Sequence, residues 1–486
     1  MHVCVIGTGA SGWISAYLIK DNPNVDKVTI IGSPNIPSIG VGESTTGAFP
    51  EFLHVLNRSG YDLFKFLVDI DAAVKYGVYY KDWSNKDFLH CFISEDHDIQ
   101  QDYLMGGLGK NENENHYMMP LYDEIVNNNL FNFDHRAQKY TFHFDAGKFI
   151  SALKNFSKNV KTLTHIKDTV IGCNKHANDD ETIESIVLQE RGEFKADYYI
   201  NCIGQRSFNE NIFGETYHDY SNILLTDTAL FYPLEYTNKK EQFHPYTVAK
   251  AMNNGWRWIT PTWSRIGTGY AFSNKYTSIE NAKEEFCNDI GIKEAEPFTV
   301  NFEPKRVNKV YKHNYCTIGM AAGFLEPLDA PGLAMTVSFI NVLSDIFDNN
   351  NTFSVKNANN FAESNYNLWA AFILHQYKTS TRNDTEFWID HRNIQWDYYD
   401  GVMEYLYGNI NSDNAVKTYE PTTFYYTAAG KGHRWKLSRC SIKDRILGRN
   451  VPKKQAITRE QLPKHLREYS FNHLDFFDHL HRIYND

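Results

Sequence analysis

No stretch of this chain reaches the roughly 18 consecutive apolar residues that a membrane helix needs. Its seven cysteines (Cys4, Cys91, Cys173, Cys202, Cys287, Cys316 and Cys440) include no C-x-x-C pair. The first absence argues against a membrane-spanning protein. The second argues against a zinc ribbon or a disulfide framework, so no metal is expected and the cytoplasm is the expected compartment. A positive charge excess is missing as well. With 49 Lys and Arg against 59 Asp and Glu, the net charge of -10 does not suit a general nucleic-acid binder, which must neutralise phosphates. The opening residues lack the charged and then apolar pattern of a secretory signal. Internal repeats and low-complexity tracts are also absent, and nothing in the chain speaks to its oligomeric state.

What is present is a folded globular chain of 486 residues, 42% hydrophobic and 22% charged. The apolar run Val3-Cys4-Val5-Ile6 ends in Gly7-Thr8-Gly9-Ala10-Ser11-Gly12 and continues from Trp13 to Ile19 with helical spacing. Val28 to Ile31 reads as a second, parallel strand, which completes a βαβ unit. In that setting G-x-G-x-x-G is a dinucleotide cradle: Gly7 permits the turn, Gly9 lets a pyrophosphate approach, and Gly12 lets the helix pack close. The acid expected for the adenosine ribose is missing, because the strand ends in Gly32-Ser33. Thr169–Gly172 and Ile186–Gln189 read as a hairpin, and Tyr198–Asn201 as a returning strand. The glycine-rich Leu104–His116 reads as a surface loop. Ten basic residues between Lys431 and Arg459, with Asp444 the single acid, read as a solvated basic face.

Further motifs carry a family resemblance. Gly40-Val41-Gly42-Glu43-Ser44-Thr45 resembles the second flavin-contacting segment of flavin-dependent tryptophan halogenases, and Lys75–Trp83 resembles the strand that carries their active lysine. Tyr140–Gly147 resembles their His-x-Asp segment. Gly255-Trp256-Arg257-Trp258-Ile259-Thr260-Pro261 matches their Gly-Trp-x-Trp-x-x-Pro signature, and Ile318–Leu328, His375-x-Tyr377 and Arg382–Trp388 match further segments. The resemblance implies an α/β fold with an FAD-binding, Rossmann-like domain of the glutathione-reductase type. Residues 1–351 would form the flavin and halogenation core with interleaved substrate segments, and a mainly helical region, 352–486, would cover the substrate.

By the same resemblance, FADH2 from a separate reductase, with O2 and a halide as co-substrates, yields hypohalous acid, which Lys75 delivers to a small aromatic substrate. Gly7, Gly9, Ala10, Ser11, Gly12, Trp13, Ser33, Ile36, Ile39, Val41, Gly42, Glu43, Ser44 and Met320 would hold the flavin. Trp256 and Trp258 would wall the substrate off from it, and Asp329 stands where the family has a catalytic glutamate. Ala330, Pro331 and Gly332 occupy the halide-binding stretch, where the family has Ser-Thr-Gly. Pro331 has no N–H to offer a halide, so bromide or iodide is expected over chloride.

The residues also admit plainer readings. Ala72, Val74, Tyr76, Val78 and Tyr80 form one period-2 face, with Lys75 on the other beside Ala73, Gly77 and Tyr79. A lone lysine is usually a surface residue, but this one is placed for partial burial and a nucleophilic amine. Trp256 and Trp258 are otherwise two core residues on one face, His143 a hydrogen-bonding core histidine, and Asp329 a helix N-cap. An aromatic hydroxylase on the same flavin fold and a flavin-binding protein whose halide chemistry has decayed are the alternative functions. The segment Thr423–Gly432, which resembles the family's substrate cover, offers no acid for an amino-acid amine, so free tryptophan is not favoured.

Overall fold

The computed structural model describes residues 1–35, 43–92, 129–131, 140–204, 209–348, 354–407 and 471–485. The chain divides into two compact units, each built from three segments. One comprises Met1–Ala72, Phe144–Asn222 and Phe302–Tyr366; the other comprises Ala73–His143, Ile223–Asn301 and Asn367–Asp486. The sequence suggests one boundary near residue 351, whereas the chain leaves and re-enters each unit.

The first unit holds a five-stranded parallel sheet in the order Tyr315–Thr317, Tyr198–Asn201, His2–Ile6, Lys27–Gly32, Leu163–Lys167. Val3 to Ile6 are buried without alternation, as a parallel strand covered on both faces requires. The helix Ala10–Ile19 follows the glycine turn, and seven of its ten residues are buried, so it is an interior helix. It lies parallel to the long helix Pro331–Phe347: Ser11 Oγ meets Thr336 Oγ1 at 3.2 Å near the two starts, and Asn22 Nδ2 meets Ser344 Oγ at 2.8 Å near the two ends. The expected hairpin is there as Val170–His176 paired antiparallel with Asp179–Leu188. The architecture is the mixed α/β, Rossmann-like fold that the glycine turn implies.

The second unit is built on a seven-stranded mixed sheet in the order Phe298–Asn301, Thr228–Leu234, Ile266–Phe272, Gly255–Pro261, Thr247–Met252, Gly77–Lys81, Phe88–Cys91. Helices Glu386–Asn393, Asp397–Tyr407 and His473–Asn485 belong to it, in keeping with a helical C-terminal region. Two fully buried tryptophans tie helix to sheet. The Trp83 and Trp388 rings meet edge to face at 5.1 Å, and each indole N–H donates at 2.9 Å to a strand carbonyl, Ala249 and Met252 respectively. Burying an indole requires such an acceptor. Among the described residues no helix is long and apolar enough to cross a membrane.

Candidate active site

The glycine turn expected to cradle the flavin is in the first unit. Gly7 has φ +113°, and a Cβ there would stand 2.6 Å from the Cys202 carbonyl oxygen, while a Cβ on Gly12 would stand 2.0 Å from the Gly7 oxygen. Neither position tolerates a side chain. Gly9, the N-cap of the helix, differs, because a Cβ there would enter open space. The N–H groups of Ala10, Ser11 and Gly12 have no acceptor within the helix. Open space in front of a helix N-terminus with no acid in its first turn fits the pyrophosphate of FAD. Trp13 is fully buried against His165 (5.5 Å) and Tyr17, so its side chain supports the cradle from inside.

The missing ribose acid has a steric counterpart. A Cβ at Gly32 would stand 2.2 Å from Thr8 Oγ1, so Thr8 fills the space an acid would need. Ser33 is engaged with Thr169, Oγ to Oγ1 at 2.9 Å. Met320 stands 53% exposed on a turn whose Gly319 leaves no room for a side chain beside Ser11. Glu43 and Ser44 form a two-residue strand; Ile36, Ile39, Val41 and Gly42 lie outside the described residues.

Asp329 to Gly332 lead into the long helix in the same unit. Asp329 (φ 60°) and Ala330 (φ 55°) are both left-handed, a conformation that costs a non-glycine residue on the order of 1–3 kcal/mol. The N-cap is Ala330, not Asp329, and it makes no side-chain cap. Proline begins the helix, and its ring disfavours α conformations in the residue before it, which adds to the strain at Ala330. The Ala330 N–H donates to the Pro327 carbonyl at 3.1 Å, and Pro331 has none. Gly332, exposed at the second helical position, is the remaining backbone donor of the three. Because the two helices run parallel, this N-terminus and the flavin cradle lie at the same end of the pair, where both dipoles favour negative charge.

Lys75 is in the second unit and is 1% exposed. The continuous period-2 strand expected over residues 72–80 is broken at Tyr76, whose N–H donates to the Pro245 carbonyl at 2.8 Å. Ala73–Lys75 is a separate short strand paired with Thr141–His143, buried on both faces. In this register Ala73 faces His143 and Lys75 faces Thr141, so the four side chains share one face. The Lys75 ammonium lies 5.3 Å from the centre of the Phe92 ring. His143 is fully buried, with Nε2 2.7 Å from Thr247 Oγ1, while Nδ1 makes no hydrogen bond. Burial, then the charge of Lys75, hold its pKa well below the usual value. The expectation of a satisfied histidine is thus met on one nitrogen only.

Trp256 and Trp258 share one face of Gly255–Pro261, ring centres 6.0 Å apart. Between them Arg257 points the other way: its Nε donates to Thr268 Oγ1 at 2.9 Å and its NH1 to Asp289 Oδ2 at 2.6 Å. The opposite face of the tryptophan strand is thereby anchored to the helix Ile279–Ile290.

The anticipated residues therefore fall into two groups. The cradle and residues 329–332 belong to the first unit; Lys75, Trp256 and Trp258 belong to the second. Segments 104–116, 423–432 and 431–459 lie outside the described residues. The part of Thr8 is not legible in the sequence, since it acts through Gly32, on the neighbouring strand.

The tryptophan halogenase family model matches residues 2–433. The chain is 28% identical over 424 residues to tryptophan 7-halogenase KtzQ of Kutzneria sp. (strain 744), covering 79% of this chain and 77% of that one. It is 27% identical over 424 residues to tryptophan 6-halogenase SttH of Streptomyces toxytricini, covering 80% of each. Its fold is similar to the crystal structure of a tryptophan halogenase from Shewanella frigidimarina NCIMB 400, with a TM-score of 0.85 over 100% of this chain and 98% of that one at 22% identity.

Proposed function

The chain belongs to the tryptophan halogenase family and is a flavin-dependent halogenase; on that premise we propose that it delivers electrophilic bromine or iodine through Lys75 to a small aromatic substrate other than free tryptophan. The observation that carries this reading is the near-complete burial of Lys75 on a short strand that is itself buried on both faces. A buried lysine is costly, and chemistry is the common reason to keep one.

When bound, reduced FAD with O2 supplies the oxidising equivalents that convert halide to hypohalous acid. Residues Gly7 to Gly12 would hold its pyrophosphate, and a separate reductase would supply it in reduced form. The Lys75 ammonium donates a hydrogen bond to the oxygen of the hypohalous acid, which strengthens the partial positive charge on the halogen. An aromatic carbon then takes the halogen, the O–X bond breaks toward oxygen, and a proton leaves the ring; water and the aryl halide result. By the family resemblance Trp256 and Trp258 would wall the substrate from the flavin, and Asp329 would provide the carboxylate that polarises the oxidant or steadies the cationic ring.

The test is one incubation of the protein with a flavin reductase, electron-rich aromatics and each halide in turn, read by product mass. Halogen addition supports the reading. Addition of oxygen alone would point to a hydroxylase, and no product with any halide or aromatic would point to decayed chemistry.

A further inference from the structure

The lysine strand is three residues long, and among the described residues no strand pairs with its outer edge. Two hydrogen bonds pin it instead. On one side of Lys75 the Tyr76 N–H donates to the Pro245 carbonyl at 2.8 Å. On the other, the Val74 N–H donates to His473 Nε2 at 3.0 Å.

His473 opens the helix His473–Asn485. Its Nδ1 lies 3.2 Å from the Phe243 carbonyl, which can only accept, so Nδ1 carries the hydrogen and Nε2 is the acceptor that Val74 needs. The two contacts define one neutral tautomer. The ring is fully buried, stacked on Phe243 at 4.3 Å and 7° with Phe477 edge-on at 5.3 Å, and burial lowers its pKa to about 3. The histidine backbone is fixed too, its N–H donating to the Asn129 carbonyl at 3.0 Å, while Asn129 Nδ2 donates to the same Phe243 carbonyl. Phe243 and Pro245 belong to one loop. The backbone on both sides of Lys75 is thereby tied to a single assembly, locked by the imidazole.

We propose that His473 is a positioning residue for Lys75, accepting the Val74 N–H so that the short strand presents the amine in one orientation. This rests on the delivery role of Lys75. His473 lies beyond residue 433, where the family match ends. The chemistry rewards such fixity, since a lysine displaced by about 1 Å loses the geometry that transfer needs, at a cost of up to about 100-fold in rate.

The experiment compares full-length wild type with His473→Leu, His473→Gln and Lys75→Met. Glutamine carries an acceptor where Nε2 stands, and leucine carries none. Acylation of Lys75 by a small amine reagent is followed by peptide mass spectrometry, with the buried Lys312 of the other unit as internal reference. Aryl bromide is measured alongside, with bromide and indole or the best aromatic from the function assay. Lys75 should react about tenfold faster in His473→Leu while Lys312 is unchanged, the ratio of aryl bromide to flavin oxidised should fall about tenfold, and His473→Gln should recover both. Unchanged Lys75 labelling and coupling in His473→Leu overturns the proposal, as does equal impairment of the leucine and glutamine variants. If His473→Leu fails to fold, the glutamine variant decides, because loss of coupling in it overturns the proposal. Wild-type product from Lys75→Met removes the delivery role itself, and with it this inference, whatever the labelling shows.

Discussion

The indole of Trp258 lies across Gly269, its cross-strand partner, where a Cβ would stand 2.1 Å from Cζ2 of the ring and 2.3 Å from the Leu230 carbonyl oxygen. Glycine inside a buried strand otherwise weakens it, so the close approach accounts for its presence. Gly269→Ala should lower stability by about 1–3 kcal/mol, read as a lower urea midpoint at unchanged slope. Adding Trp258→Phe should restore only part of it, because the Leu230 contact is to backbone. A Gly269→Ala protein as stable as wild type would show that the sheet yields there.

Lys75→Met keeps the volume of the buried side chain and removes the amine. It should lower aryl halide by about 100-fold or more while flavin oxidation stays within about twofold, because in the proposed mechanism the lysine holds the oxidant and not the cofactor. Product mass and oxygen uptake, measured together, check this. Loss of both in parallel would place Lys75 in flavin binding or folding instead.

The parts of this chain legible from sequence are those whose cause is local. A strand, a glycine turn and a helix follow one another within Val3 to Ile19, and the parallel partner Lys27–Gly32 comes soon after, so periodicity finds them. Lys75 and the two tryptophans are found by motif. The break at Tyr76 is not, because its cause is the Pro245 carbonyl. The cap of the long helix falls one residue past Asp329, a good N-cap by composition, because the pair of left-handed residues ahead of Pro331 sets the geometry. Thr8 against Gly32, Gly269 under Trp258 and His473 on Val74 are contacts of tertiary structure, and no local pattern records them.

The pairing of Thr8 with Gly32 predicts non-additive behaviour in FAD binding. Gly32→Asp alone should destabilise the protein, since its Cβ meets Thr8 Oγ1 at 2.2 Å. Combined with Thr8→Gly it should fold and bind FAD about tenfold more tightly, the carboxylate adding a charge-assisted hydrogen bond to the ribose of about 1.5–3 kcal/mol less the cost of its desolvation. Titration by flavin fluorescence measures it. A double variant that folds and binds no better than wild type would refute the steric account.

Four histidines with strongly lowered pKa values predict acid sensitivity. Burial is the first cause of a lowered pKa in each: well below the usual 6.5 for His143, about 4 for His244, and about 3 for His391 and His473. As pH falls through about 6.5 the unfolded chain takes up protons that the folded chain refuses, so stability falls with pH and keeps falling toward about pH 3. Each such histidine contributes a slope of up to about 1.4 kcal/mol per pH unit. Urea midpoints between about pH 7.5 and pH 5 should show the loss, and His473→Gln should shallow the slope by one histidine. A slope unchanged in that variant would mean that His473 titrates alike in both states.

The proposed halide preference rests on counting donors at the start of the long helix. The Ala330 N–H is spent on the Pro327 carbonyl and Pro331 has none, so Gly332 is the remaining backbone donor of the three. Chloride, the most strongly hydrated of the three halides considered, needs such donors most, at about 1.5–3 kcal/mol each, whereas bromide and iodide shed water more readily and are easier to oxidise. Equimolar competition should therefore give brominated or iodinated product, and Pro331→Thr, which restores an N–H, should raise the chlorinated share by roughly 10-fold or more. Ala330→Gly is the control: it relieves the left-handed strain at φ 55° without adding a donor, so it should raise stability and leave the halide ratio where it was. A chlorinated major product from the natural chain would show that the single remaining donor suffices. If instead Ala330→Gly and Pro331→Thr shifted the ratio equally, loop strain and not the missing N–H would set the preference.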